Sequence, residues 1–232
     1  MILSLLLVSV VVGLFITIIY FAITSERKRK KKKQETLLSL GFHPVRELDS
    51  GLLDTLKLLY QKRDHQKLEL KEFYTRKTGD YDIFLYEVWD NSGNDTDLQD
   101  AWGLAIQSPY LDLPRFTLVP RIDMPGKFAS LANRFIEHLV SKQAHKIVFD
   151  QYVPFSKRYM VVGENESAIR QFFSDRVLDR LSETEYWQVD ADHHLFTYSQ
   201  FEFKRGKQPG NLEQLNQRLE NIKNLFQLFS QG

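Results

Sequence analysis

The sequence predicts an α+β protein: an N-terminal transmembrane helix, then one domain with a mainly antiparallel sheet flanked by amphipathic helices. Three observations predict it. Ile2 to Ile23 is an apolar run of membrane length without a charged residue, and Arg27-Lys-Arg-Lys-Lys-Lys-Lys33 follows it almost at once. Beyond Gly41, β-branched and aromatic runs fill the middle of the chain, with apolar stripes at helical spacing on either side.

A helix over Ile2–Ile23 rises about 1.5 Å per residue and is roughly 33 Å long, matching the ~30 Å hydrocarbon core of a bilayer. A cleavable signal peptide would carry Lys or Arg before a shorter apolar stretch and a small-x-small site after it, and neither is present. Ser4, Ser9, Gly13 and Thr17 are tolerated because small polar groups bond back to the helix backbone or sit against a neighbour. The chain therefore divides into a transmembrane anchor (1–25), a polybasic juxtamembrane stalk (26–36) and a soluble α+β domain (37–232). Cations flank only the C-terminal side of the run, so this reading makes a single-pass protein with its N-terminus outside and its domain in the cytoplasm. Asn94-Asp-Thr96 and Asn165-Glu-Ser167 match glycosylation acceptors, which have no meaning in that compartment. The absence of cysteine excludes disulfides and thiolate chemistry.

The formal net charge of +1 conceals a segregation. Seven of the 31 Lys and Arg lie in the stalk, leaving 24 against 29 acidic residues beyond Gln34. The candidate membrane-surface residues are Arg27, Lys28, Arg29, Lys30, Lys31, Lys32 and Lys33, with the lipid bilayer, and anionic lipid at the stalk, as partner. Nucleic acid is disfavoured, because the acidic remainder would repel phosphate.

Each element has a local signal. A short helix continues from the stalk through Leu37, Leu38 and Leu40 to a cap at Gly41, and Ser50 caps a second with Leu52, Leu53, Leu56, Leu59 and Tyr60 on its stripe. Leu68–Tyr74 and Ile83–Trp89 form a hairpin about Thr78-Gly79-Asp80. Asn91–Asp97 is a polar loop. Ala101–Gln107 and Phe116–Val119 are the next strands of an antiparallel meander, separated by turn residues from Pro109 to Pro114. A helix from Met124 carries Phe128, Leu131, Phe135 and Leu139. Lys146–Phe149 and Tyr159–Val162 are strands, and Asn165 caps one helix with Ile169, Phe172, Phe173, Val177 and Leu181 inward. Trp187–Val189 and Leu195–Phe203 form the last hairpin, and a final helix is capped by Asn211. Leu212, Leu215, Leu219, Ile222, Phe226 and Phe229 give that helix a seam, widened by Leu225 and Leu228, that favours docking on the domain over dimerisation.

The stretch Phe149-Asp-Gln-Tyr-Val-Pro-Phe-Ser-Lys-Arg-Tyr-Met-Val-Val-Gly-Glu-Asn-Glu166, with Trp187-Gln-Val-Asp190, Leu195-Phe-Thr-Tyr198 and Leu113-Pro-Arg-Phe-Thr-Leu-Val-Pro120, resembles a group of uncharacterised bacterial single-pass membrane-anchored proteins with a cytosolic α+β domain. The likeness covers about Gly41 to Phe203. It implies a fold and an anchor and brings no activity or catalytic residue. Read by themselves, Phe149, Phe155, Tyr159 and Val161 are core-filling residues, with Lys157 and Arg158 on the polar face of the same strand.

Asp190, Asp192, His193 and His194 are the densest set of candidate metal ligands. Adjacent histidines on a strand point to opposite faces, so a polar hairpin turn competes with the metal reading. The scattered His43, His65, His138 and His145 have no ligand spacing. No nucleophile elbow, phosphate-cradling glycine loop or His-Glu-x-x-His occurs, so no catalytic residue and no cofactor is assigned and an enzyme is the minority reading. Two functions are expected: a membrane-tethered interaction or scaffolding module with an unidentified protein partner, or a small-molecule or lipid-binding domain with an aromatic-lined pocket drawing on 17 Phe, 10 Tyr and 3 Trp.

Overall fold

The computed structural model describes residues 2–61, 68–90, 101–121, 145–184, 187–200 and 212–231. In chain order the elements are α1 (Ile2–Ser39), β1 (His43–Pro44), α2 (Ser50–Gln61), β2 (Leu68–Lys77), β3 (Asp82–Asp90), β4 (Ala101–Gln107), β5 (Leu113–Pro120), β6 (His145–Ile147), α3 (Val153–Arg158), β7 (Tyr159–Gly163), α4 (Glu166–Phe172), α5 (Asp175–Glu183), β8 (Trp187–His193), β9 (Leu195–Gln200) and α6 (Leu212–Phe229). They fall into two compact units, Met1–His43 and Pro44–Gly232.

In the first unit the apolar run, the basic stalk and the short helix after it are one continuous helix, α1. Its end follows the Schellman pattern. The Phe42 N–H donates to the Leu37 carbonyl and the Gly41 N–H to the Leu38 carbonyl, both at 2.9 Å. Gly41 has φ 81°, the left-handed conformation that this cap requires and that glycine adopts without a Cβ penalty. Among the described residues no helix is long and apolar enough to cross a membrane. Side chains of α1 are described at Thr17, Tyr20, Phe21 and from Ile23 onward, so the run read as an anchor lies for the most part outside them.

The second unit is built on an antiparallel sheet in the order β1-β2-β3-β4-β9-β8-β5-β7-β6. Two local hairpins, β2–β3 and β8–β9, are closed by tight turns; the first turns where its sequence predicts, whereas β8 runs past Val189 to His193 and leaves a shorter turn than expected. In the first, Thr78 and Tyr81 exchange bonds: the Thr78 N–H donates to the Tyr81 carbonyl at 3.0 Å, and the Tyr81 N–H to Thr78 Oγ1 at 3.1 Å. The meander ends after β4. Its other neighbour is β9, and β5 lies between β8 and β7, so the centre of the sheet joins segments far apart in sequence.

Strand alternation gives the sheet two different faces. On one, Phe116 of β5 meets Phe172 and Phe173 at ring-centroid distances of 5.5 and 5.0 Å, and Phe229 of α6 at 6.2 Å. Phe196 of β9 meets Phe229 at 5.4 Å. On the other, Leu52, Leu56 and Leu59 of α2 cover Phe84, Tyr86, Ala105 and Leu195, and Val119, Met160 and Val162 form a smaller cluster. Gly163 stands opposite Phe116 in the β5–β7 register. A Cβ at that position would overlap the Ile169 side chain and the Arg115 carbonyl, so close approach of α4 to the sheet requires glycine there.

Several local readings change. Asp49, not Ser50, caps α2: its Oδ2 accepts from the Leu52 N–H at 3.0 Å. Val153–Arg158 is the short helix α3 rather than extended chain, because Pro154 in its first turn suits a helix start. Phe155 is therefore buried from a helix, and Arg158 donates from Nη1 to the Thr184 carbonyl at 2.7 Å instead of lining the polar face of a strand. The single helix expected after Asn165 is two, α4 and α5, interrupted at Phe173 and Ser174. Asn165 does cap the first, accepting from the Ala168 N–H at 3.1 Å. The helix expected from Met124, the loop at Asn91–Asp97 and the Asn211 cap lie outside the described residues.

Candidate functional site

The stalk cations occupy the α1 segment from Arg27 to Lys33. At about 100° per residue, seven consecutive positions surround the helix completely and form a collar rather than a stripe. Arg27 to Lys32 are exposed. Lys30 pairs with Glu26 at 3.1 Å and Lys31 with Glu35 at 3.8 Å, all four side chains being at least 60% exposed, so these pairs orient charge without contributing much stability.

The structure distributes the predicted metal ligands about the β8–β9 hairpin. Asp190 is 3% exposed and lies opposite Thr117 of β5 and Thr197 of β9. The Thr117 hydroxyl donates to its Oδ1 at 2.8 Å, supplying a bond that a carboxylate enclosed by a sheet needs. Asp192 accepts from His193 Nδ1 at 2.5 Å, and its other oxygen lies 3.9 Å from Arg115 Nε. His194 turns away and places Nδ1 2.5 Å from the Leu111 carbonyl, while its own carbonyl accepts from the Ser108 N–H at 2.9 Å. Asp192 and His193 are thus brought together, and Asp190 and His194 are directed elsewhere. Among the described residues no group of three or more His, Asp or Glu is arranged to hold a metal.

His193 also carries backbone strain. It and His194 form the two-residue loop between the paired Asp192 and Leu195, and its φ is 50°. A side chain in the left-handed region costs about 1–2 kcal/mol, whereas a hydrogen bond returns about 0.5–1.5 kcal/mol. His193→Gly is expected to stabilise the protein by up to about 1 kcal/mol. A raised thermal midpoint checks this; a lowered one would mean that the contact to Asp192 outweighs the strain.

Two polar residues that sequence reasoning missed lie on the buried side of α6. Arg218 is 9% exposed and donates from Nη2 to the Trp102 carbonyl at 2.6 Å. Asn221 is 6% exposed, donates to the Tyr198 hydroxyl at 3.2 Å and accepts from Gln217 Nε2 at 3.1 Å. The bonds to Trp102 and Tyr198 run from helix to sheet and give the apolar seam a register. The available signal was their position, three residues apart on the flank of Leu215, Leu219 and Ile222. A hydrogen bond to Asp175, then desolvation and the charges of Asp175 and Asp179, push the Tyr152 phenol up to about 12.

The aromatic residues that suggested a pocket are, where described, largely engaged with one another: Phe149 with Phe155 and Phe173, Phe155 with Tyr159, Phe73 with Tyr86. Comparison with protein-family models, curated proteins and solved structures finds no match, so the likeness read from Phe149–Glu166, Trp187–Asp190, Leu195–Tyr198 and Leu113–Pro120 rests on those residues alone.

Proposed function

We propose that the chain is a membrane-tethered interaction or scaffolding module. On this reading Ile2–Ile23 crosses the bilayer with the N-terminus outside, and the stalk meets the cytoplasmic leaflet. The unit from Pro44 then offers its surface to a protein partner in the cytoplasm. The observation that carries this reading is the continuity of α1, in which an apolar run of membrane length passes within one helix into exposed cations. The alternative of a small-molecule or lipid pocket draws on the same aromatic residues that the sheet and helices use to fill their core.

Protease protection tests the orientation. In sealed right-side-out cells or vesicles, added protease is expected to leave the Pro44–Gly232 unit intact, and to digest its exposed segments once detergent opens the membrane. Digestion before detergent, with a luminal marker still protected, would overturn it.

A further inference from the structure

Resting on the reading of Ile2–Ile23 as a span, we propose that the near end of the α1 cation collar binds anionic lipid headgroups, and that Arg27, Lys28 and Arg29 hold them. Distance selects these three. At about 1.5 Å per residue they lie roughly 6–9 Å past Ile23 along the helix, whereas Lys33 lies roughly 15 Å past it. The screening length at physiological ionic strength is about 8 Å, so attraction to a charged leaflet fades within the collar.

Side-chain direction reinforces the selection. Helical side chains lean toward the N-terminus, which here is toward the membrane, and long cationic chains extend that lean. Neighbouring carboxylates sort the collar further. Glu26 engages Lys30, and Glu35 draws Lys31 away from the span. Among the described residues Arg27, Lys28, Arg29 and Lys32 have no ion-pair partner, and the first three are the nearest to Ile23.

Chemistry and symmetry identify the occupant. The two guanidinium groups can hold phosphate or carboxylate oxygens in bidentate fashion. Three consecutive cations about 100° apart fan over more than half of the helix circumference, which suits a fluid layer of headgroups, while one partner groove would meet only one side of it. The acidic excess beyond Gln34 disfavours a nucleic acid.

The test uses the full chain reconstituted in phosphatidylcholine vesicles containing phosphatidylserine. Spin-labelled forms of the two lipids report which one the protein retains at its boundary. Wild type is expected to prefer phosphatidylserine by about fivefold or more, the factor from one cation near the surface. The triple variant Arg27→Gln, Lys28→Gln, Arg29→Gln should lower the preference to about one, and Lys31→Gln, Lys32→Gln, Lys33→Gln should keep at least half of it. Equal losses in the two variants would overturn the assignment to the proximal residues, because charge count alone would then suffice. Co-flotation with vesicles but no lipid preference in wild type would overturn the lipid proposal and leave the span standing. Failure to float would remove both. Retention of a short RNA at physiological salt, without lipid preference, would overturn the proposal in favour of a nucleic-acid site.

Discussion

Leu225→Asp is expected to abolish cooperative unfolding of the Pro44–Gly232 unit. Leu225 is fully buried on α6, and its neighbours one turn away, Asn221, Ile222, Leu228 and Phe229, are buried as well. None of them is a cation, so a carboxylate placed there has no partner one turn away on the helix. Burying an unpaired charge, together with loss of the leucine, costs about 4–5 kcal/mol or more, a large share of the ~5–15 kcal/mol that holds a domain together. Ile222→Asp should be milder, because Arg218 lies one turn back on the same side. Thermal and denaturant unfolding of the full chain in detergent measure both. A wild-type dimer that Leu225→Asp converts into a folded monomer of unchanged stability would make the seam a partner interface instead of core.

That seam shows what the sequence made legible. Leu215, Leu219, Ile222 and Phe226 recur at helical spacing and are all buried on α6. Local order of this kind also marked the Thr78–Tyr81 turn and the Asn165 cap. Non-local order left no such trace. Nothing in Leu113–Pro120 states that it will lie between β8 and β7, because periodicity identifies a buried strand without naming its neighbours. Lys157 and Arg158 read as the polar face of a strand beside Tyr159, whereas Pro154 favours the helix start that α3 adopts. The Asp190–His194 cluster had ligand chemistry, but the hairpin pairs only Asp192 with His193 and gives Asp190 and His194 other partners. Arg218 and Asn221 stayed hidden because charged and amide side chains are ordinarily exposed, and only the β4 and β9 groups opposite them make burial tolerable.

Phe116→Ala is expected to be the most damaging truncation on the aromatic face. Phe116 is 1% exposed, and its ring touches both helical layers above the sheet: Phe172 and Phe173 on the α4 side, and Phe229 at the end of α6. Truncating a buried Phe costs about 3–5 kcal/mol, and geometric ring pairs add about 0.5–1.5 kcal/mol each beyond their area. Phe149→Ala should cost less, because Phe149 is 7% exposed and its loop lies outside the central strands. A double-mutant cycle with Phe229→Ala separates the cavity from the contact. If α6 is held partly through this ring, the two losses should fall short of additivity by about 0.5–1.5 kcal/mol. Strict additivity would mean that Phe229 stabilises α6 through Phe172 and Phe196, whose rings lie nearer at 5.3 and 5.4 Å. A loss below about 1.5 kcal/mol for Phe116→Ala itself would show that the surrounding rings collapse into the vacated space, and that no single residue is the centre of this core.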